Sequence, residues 1–269
     1  LDSVLARIEA TDDRVHAYIR VAAAQARETA AQAQAEIAAG RWRGPLHGLP
    51  FAVKDTYDVA GMPATAASRL RLDHVPAHDA ALVARLKAAG AVLVGKLATW
   101  EFGTGNAGEY FDLPFPPARN PWDLARLTGG SSTGAGAAVA TGMAAFTLGS
   151  DTTGSVRLPA AGSGTVGMIC TPGRLPLDGI LPNCWSLDVP GVFTWTVEDC
   201  AIVLDALTGP RDAAGHPAGA LRRSVGRPIA GARIAVVDDP GAGSPRPDVP
   251  LERGFDAALE RDVGPRGAG

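Results

Sequence analysis

The sequence predicts an α/β fold in which helices cover a β-sheet, and three observations carry that prediction. Residues 49–53 and 91–95 are short apolar runs, and an amphipathic segment at 79–89 lies between them. A buried strand, a helix and a second buried strand in that order are the pattern of a sheet with a covering layer. Residues 1–39 are rich in Ala, Gln, Glu and Arg, contain no proline and end at Gly40, as a helical region with a glycine stop does. Across 269 residues, 46% are hydrophobic and 20% charged, a balance that suits a globular chain with a large core and excludes a disordered or fibrous one.

Taken in order, residues 1–39 read as helical throughout. Propensity is strongest over 22–39, but the apolar stripe there is weak, which places the segment on the outside of a core. The run at 49–53 reads as a buried strand ending at Lys54-Asp55. Asp79 is the expected N-cap of a helix through Ala89, which Gly90 closes, and 91–95 is the next strand. Four prolines make 113–121 a loop. The stretch 128–167 holds ten glycines, yet it is too apolar and too irregular for a linker. A small-residue helix at about 134–142 and a strand at 146–148 are expected inside it. Trp185 is expected in buried packing, although 181–187 is also a candidate wall for a substrate. Beyond Leu207 the composition loosens: 209–228 reads as a surface connection and 232–237 as a further strand. Residues 239–269 are Pro, Gly and charge with a weak helical signal at 251–260. The expected division is therefore a domain over 1–238, with its motif core at 44–207, and a partial or disordered remnant at 239–269.

Composition also excludes functions. A formal net charge of −3 gives no electrostatic reason to expect nucleic acid or an anionic membrane as partner. No apolar run approaches the ~20 residues of a membrane span. Cys170, Cys184 and Cys200 match no zinc or redox spacing and read as small buried hydrophobes in a reducing, cytoplasmic compartment. No signal peptide is visible, and because Leu1 already lies in a helical pattern, further sequence is expected before it.

Two glycine-flanked serines carry the chemistry. They are Gly129-Gly130-Ser131-Ser132-Thr133-Gly134 and Asp151-Thr152-Thr153-Gly154-Ser155-Val156-Arg157. Small residues ahead of a serine let several backbone N–H groups turn toward one point, where they can hold an oxyanion. Serine alone is a weak nucleophile and needs a base within hydrogen-bond reach. His216, the sole histidine after Ser132, lies in a loose Gly/Pro/Ala stretch. Lys54 is the better base: it ends a buried strand, and desolvation lowers a lysine pKa toward neutrality. Three other patterns are set aside. Gly130-Ser131-Ser132-Thr133-Gly134 fits the hydrolase elbow but lacks an apolar strand before it. Gly103-Thr104-Gly105-Asn106-Ala107-Gly108 fits a dinucleotide loop but runs into prolines instead of a helix. His74 and His78, with Pro76 between them, read as a solvated loop and not a metal pair.

The stretch from Gly129 to about Leu175 resembles the amidase signature, and Gly48-Leu49-Pro50-Phe51-Ala52-Val53-Lys54-Asp55 resembles the lysine motif of the same family. Further matches are Ala89-Gly90-Ala91 with Gly95-Lys96, Arg119-Asn120-Pro121-Trp122 and Thr196-Val197-Glu198-Asp199. The resemblance implies a mixed β-sheet core with helices on both faces, incomplete at the C-terminus, because family members are much longer. It implies that Ser155 attacks a carboxamide carbon and forms an acyl-enzyme. Ser131, held after a cis peptide in the family, would relay the proton to Lys54. The N–H groups of Thr152, Thr153, Gly154 and Ser155 would form the oxyanion hole, with Asp151, Arg157, Gly130 and Ser132 supporting it. It implies no cofactor and no metal, a small-molecule amide as partner, no direct contact with nucleic acid or membrane, and leaves a homodimer open. A glutamine-hydrolysing amidotransferase of the A type, which passes ammonia to a partner, is the alternative; a truncated, non-catalytic member is the other. Two substitutions depart from the family pattern: Thr153, and often Thr133, stand where glycine is usual. A third departure lies near Ile169-Cys170. A positive φ at Thr153 would cost energy and narrow the hole.

Overall fold

The computed structural model describes residues 1–104, 113–209 and 219–228. Leu1–Val225 form one compact unit; the second, Gly226–Gly269, lies almost wholly outside the described residues, as do the expected strand at 232–237, the helical signal at 251–260 and the boundary at 238.

Helix α1 spans Asp2–Val15 and ends at His16, whose left-handed backbone (φ 55°) sends its N–H back to Asp12 O. The continuous helix expected over 1–39 breaks here. Tyr18–Val21 form strand β1, because an aromatic and two β-branched residues meet an open strand edge. Asp12 secures the exit by accepting the N–H groups of Ala17 at 2.7 Å and Tyr18 at 3.2 Å. Helix α2 then runs over Ala23–Ala38 with only Ala26 and Ala33 buried, as an outer layer does.

Strand β2 (Pro50–Lys54) is buried at every position, and β3 (Val92–Leu97) nearly so. Helix α3 (Ala81–Ala88) connects them, and its N-cap is Ala80. Asp79 does not cap it: its carboxylate accepts from Ala60 N–H at 2.9 Å and pairs with Lys87 at 2.8 Å, which makes it the anchor of a loop. Within the stretch 113–121 expected as loop, Arg119–Asn120 form a short strand, β4, which pairs with β5 (Asp123–Leu127) across Pro121 in a separate antiparallel hairpin. Helix α4 (Thr133–Ala140) follows the first serine loop and is buried from Thr133 to Val139. Only glycine fits at 134, where a Cβ would stand 2.1 Å from Ala17 O. Strand β6 (Phe146–Asp151) runs three residues past the expected 146–148 and so delivers Ser150 and Asp151. Helix α5 (Arg157–Ser163), strands β7 (Val166–Ile169) and β8 (Val189–Thr194) and helix α6 (Val197–Thr208) complete the unit.

The sheet has six strands in the order β1-β3-β2-β6-β8-β7. Strands β3, β2 and β6 are parallel neighbours; β1, β8 and β7 join antiparallel, so the sheet is mixed. Alternation divides the core in two. Phe51, Val53, Phe146, Leu148 and Val192 pack with Leu82, Leu86, Val203 and Leu207 of α3 and α6. Ala52, Leu97 and Phe193 pack on the other face with Leu5 and Ile8 of α1, Ala138 of α4 and Ala160 of α5. Helices therefore cover both faces. No helix among the described residues is long and apolar enough to cross a membrane.

Candidate active site

The C-terminal ends of the parallel strands converge on one place. Lys54 ends β2 and is 1% exposed, so its amine has almost no water. Its Nζ donates to Ser131 Oγ at 2.7 Å, to Ser150 Oγ at 3.0 Å and to Ser150 O at 3.4 Å. Burial pushes its pKa down to about 7, against the opposing charges of Asp151 and Asp188. Near neutral pH this amine is therefore divided between its charged and neutral forms.

Ser131 stands at the start of the segment leading into α4. The Gly130–Ser131 peptide is cis. Trp100 packs against Gly130 so closely that a Cβ there would lie 2.2 Å from the indole, and Trp100 N–H donates to Ser131 O at 3.1 Å. Ser132 is fully buried; its Oγ donates to Ser150 O at 3.2 Å, and its N–H donates to Ser155 O at 3.2 Å. That last bond joins the second serine loop to the first.

The second loop is built around Asp151. Its carboxylate accepts Gly154 N–H at 2.7 Å, Val156 N–H at 2.9 Å and Arg157 N–H at 3.3 Å, and Arg157 grips both oxygens at 3.0 and 3.2 Å. Desolvation pulls its pKa up, but Arg157 and these N–H groups outweigh it and hold the carboxyl below the usual range. Gly154 N–H is thus already committed to Asp151, whereas it was expected to face an oxyanion. The positive φ falls on Gly154 (127°) and not on Thr153, so the threonine carries no left-handed strain and lies exposed. Ser155 is 8% exposed and precedes α5.

A pocket opens over Lys54. Thr152, Phe102, Leu181, Asn183, Trp185 and Asp188 are among its walls. Trp185 is 81% exposed, so the expectation of buried packing is corrected: the indole stands at the pocket mouth because its segment rides on the surface ahead of β8.

A sequence model of the family described as Amidase matches residues 1–261. The chain belongs to the amidase family. The A-type subunit of glutamyl-tRNA(Gln) amidotransferase from Moorella thermoacetica is 49% identical over 207 residues, which are 77% of this chain and 42% of that protein. The same-named protein of an Anaeromyxobacter species is 42% identical over 268 residues, 98% of this chain and 52% of its own. The solved native peptide amidase of Stenotrophomonas maltophilia superposes with a TM-score of 0.72 at 35% identity, covering 84% of this chain and 46% of that one. The chain spans about half the length of the curated relatives it matches.

Within this amidase-family chain, the sequence motifs named Lys54 and Ser131, which are hydrogen-bonded, and Ser155, which reaches them through the backbone of Ser132. They did not name Ser150, Asn183 or Asp188. Ser150 was hidden because the expected strand stopped at 148. Asp188 is an acid directly before a wholly buried strand, a pattern that signals a paired carboxylate, and this signal was open to reading. Of the features set aside, Gly105–Gly108 and His216 lie outside the described residues.

Proposed function

We propose that the chain carries the hydrolytic centre of an amidase, which cleaves a carboxamide C–N bond through Ser155, Ser131 and Lys54. The observation that supports this best is the buried Lys54 amine, with a pKa of about 7, 2.7 Å from Ser131 Oγ. A hydroxyl and a neutral amine at that distance exchange donor and acceptor roles without moving. Neutral Lys54 takes the proton of Ser131, which takes the proton of Ser155. Ser155 Oγ then bonds to the carbonyl carbon, and the C=O electron pair moves onto oxygen. The N–H groups of Thr152, Thr153 and Ser155 face this oxygen, while that of Gly154, with Asp151 and Arg157, braces the loop; Gly130 and Ser132 set the first loop against it. When the C–N bond breaks, the proton returns by Ser131 to the departing nitrogen, which leaves as ammonia or an amine. Water adds to the acyl-Ser155 ester by the same relay in reverse order, giving the carboxylic acid. The cycle balances with these side chains and water. The partner is a small-molecule amide, and a cytoplasmic location accords with Cys170, Cys184 and Cys200 being free.

A fluorophosphonate probe is expected to label Ser155, and Ser155→Ala to abolish labelling. A folded chain that takes no label sinks this reading. Lys54→Ala should remove hydrolysis far more completely than His216→Ala; the reverse order would refute the assignment. The 49% and 42% identities to A-type proteins of glutamyl-tRNA(Gln) amidotransferase favour a second reading, a glutamine-hydrolysing component of that kind. Glutaminase activity seen only with tRNA and a partner protein would select it.

A further inference from the structure

We propose that Asp188 is a positioning residue of this centre: its one carboxylate fastens the Thr152 loop to the pocket wall and supplies a negative charge that Lys54 faces. This rests on the Ser155–Ser131–Lys54 reading above.

The fold places Asp188 with little freedom. It directly precedes β8, and the antiparallel register sets its neighbour Val189 opposite Asp151. The residue is 9% exposed, and three donors converge on its carboxylate. Thr152 Oγ1 donates to Oδ1 at 2.6 Å, while the N–H groups of Asn183 and Cys184 donate to Oδ2 at 2.7 and 2.9 Å. Hydrogen bonds to an ionised carboxylate away from water are the strong ones. Held this way, Asn183 turns its Nδ2 toward Thr152 Oγ1 at 3.3 Å and Gly103 O at 3.4 Å. Gly103 in turn packs on the amine and hydroxyl: a Cβ there would lie 3.7 Å from Lys54 Nζ and 3.6 Å from Ser131 Oγ. One carboxylate therefore joins three separate segments around Lys54: the loop after β6, the wall before β8 and the turn at Gly103.

The charge has a second consequence. Burial is the main influence on Lys54, and the two charges that oppose it are Asp151 and Asp188. Its direct contacts are neutral: the hydroxyls of Ser131 and Ser150 and the carbonyl of Ser150. Asp151 is matched by the guanidinium of Arg157, whereas the three donors that converge on Asp188 are neutral. Removing the Asp188 charge thus lets burial drive Lys54 further down, while removing its hydrogen bonds loosens the loop that carries Thr152. The first effect keeps the amine neutral to lower pH; the second slows the reaction. A purely structural lesion does only the second.

The test follows the rate of fluorophosphonate labelling of Ser155 in the full chain across roughly pH 5 to 9, a span that brackets any base titrating near neutrality. Wild type should show a limb rising through about 7; its absence would count against the Lys54 assignment and not against Asp188. Asp188→Asn should label about tenfold or more slowly on the plateau, the loss of one charge-assisted hydrogen bond, with the midpoint moved to lower pH. Asp188→Glu keeps the charge and should return the midpoint to the wild-type value. Thr152→Val should slow labelling and leave the midpoint in place. The inference is overturned if Asp188→Asn leaves both rate and midpoint unchanged, or slows labelling with the midpoint fixed. Should the asparagine variant not fold, a midpoint displaced in Asp188→Glu or Thr152→Val overturns it equally.

Discussion

Replacing Lys54 by methionine turns the burial of one amine into a measurable stability. Methionine is unbranched and apolar and fills a similar channel. In the folded chain the amine titrates at about 7, against 10.5 for its ordinary value. That difference corresponds to roughly 5 kcal/mol, at 1.36 kcal/mol for each pH unit. The sign is fixed by proton counts: between about 7 and 10.5 the unfolded chain binds a proton at this site and the folded chain does not, so stability rises with pH through that window. Wild type therefore has the full contribution above 10.5 and has lost it below 7. The methionine variant has no such dependence, and bears only a pH-independent loss of the contacts to Ser131 and Ser150, about 1 kcal/mol each. Urea midpoints for the two proteins from about pH 6 to pH 10, converted by a common slope, give the difference directly. Carboxylates titrate below this window, and Lys96 is common to both proteins, so neither disturbs it. The variant should gain on wild type by several kcal/mol as pH falls. A difference that stays constant within about 1 kcal/mol across the window would refute the claim that Lys54 is a desolvated, depressed amine.

Further substitutions probe the frame around it. Asp151→Ala strips the acceptor from the N–H groups of Gly154 and Val156 and should cost roughly 3 kcal/mol or more in urea unfolding. Arg157→Ala, whose side chain is 56% exposed, should cost about 1 kcal/mol or less; the opposite ranking would show that the ion pair and not the backbone bonds holds the loop. Lys96→Met leaves Asp55 buried without its partner at 2.8 Å and should destabilise by about 3–5 kcal/mol, read as a fall in denaturant midpoint, where an unchanged midpoint would contradict the pairing. Gly134→Ala drives a Cβ to 2.1 Å from Ala17 O and should cost about 3 kcal/mol, with a neutral result denying the close approach of α4 to the residue that leads into β1.

What the sequence made legible was set by how local the signal is. The runs at 49–53 and 91–95 are apolar at nearly every position, and parallel strands buried on both faces are written that way. Tyr18–Val21 was lost in a helix-rich background because its strand character depends on β3, far along the chain, and four residues cannot outweigh their neighbours. Asp79 satisfied the local rule for an N-cap, yet the backbone starts the helix at Ala81 and the carboxylate finds Lys87 instead. The site divides the same way. Ser131 and Ser155 are marked by the glycines beside them, and Lys54 by the apolar run it ends. Asp188 and Ser150 matter through distances across the fold, and those are fixed by the pairing of β6 with β8.

The two buried lysines show what the fold adds to such motifs. Lys54 and Lys96 lie on adjacent parallel strands, and in sequence each follows an apolar run. The register sets Lys96 beside Val53, whose side chain packs toward α3 and α6, and Lys54 beside Leu97, which packs toward α1, α4 and α5. The amines therefore leave the sheet on opposite faces. Lys96 meets Asp55 at 2.8 Å and the carbonyl of Tyr57 at 2.7 Å; burial still holds its pKa below the ordinary lysine value, and the Asp55 carboxylate opposes that push. Lys54 meets two hydroxyls and a carbonyl, and the charges that act on it, Asp151 and Asp188, are each occupied with other donors. Equal burial thus meets different partners: a neighbouring carboxylate opposes the loss of a proton from Lys96, whereas Lys54, among neutral groups, loses its own near neutral pH. That distinction lies in the partners, and alternation along two paired strands is what assigns them.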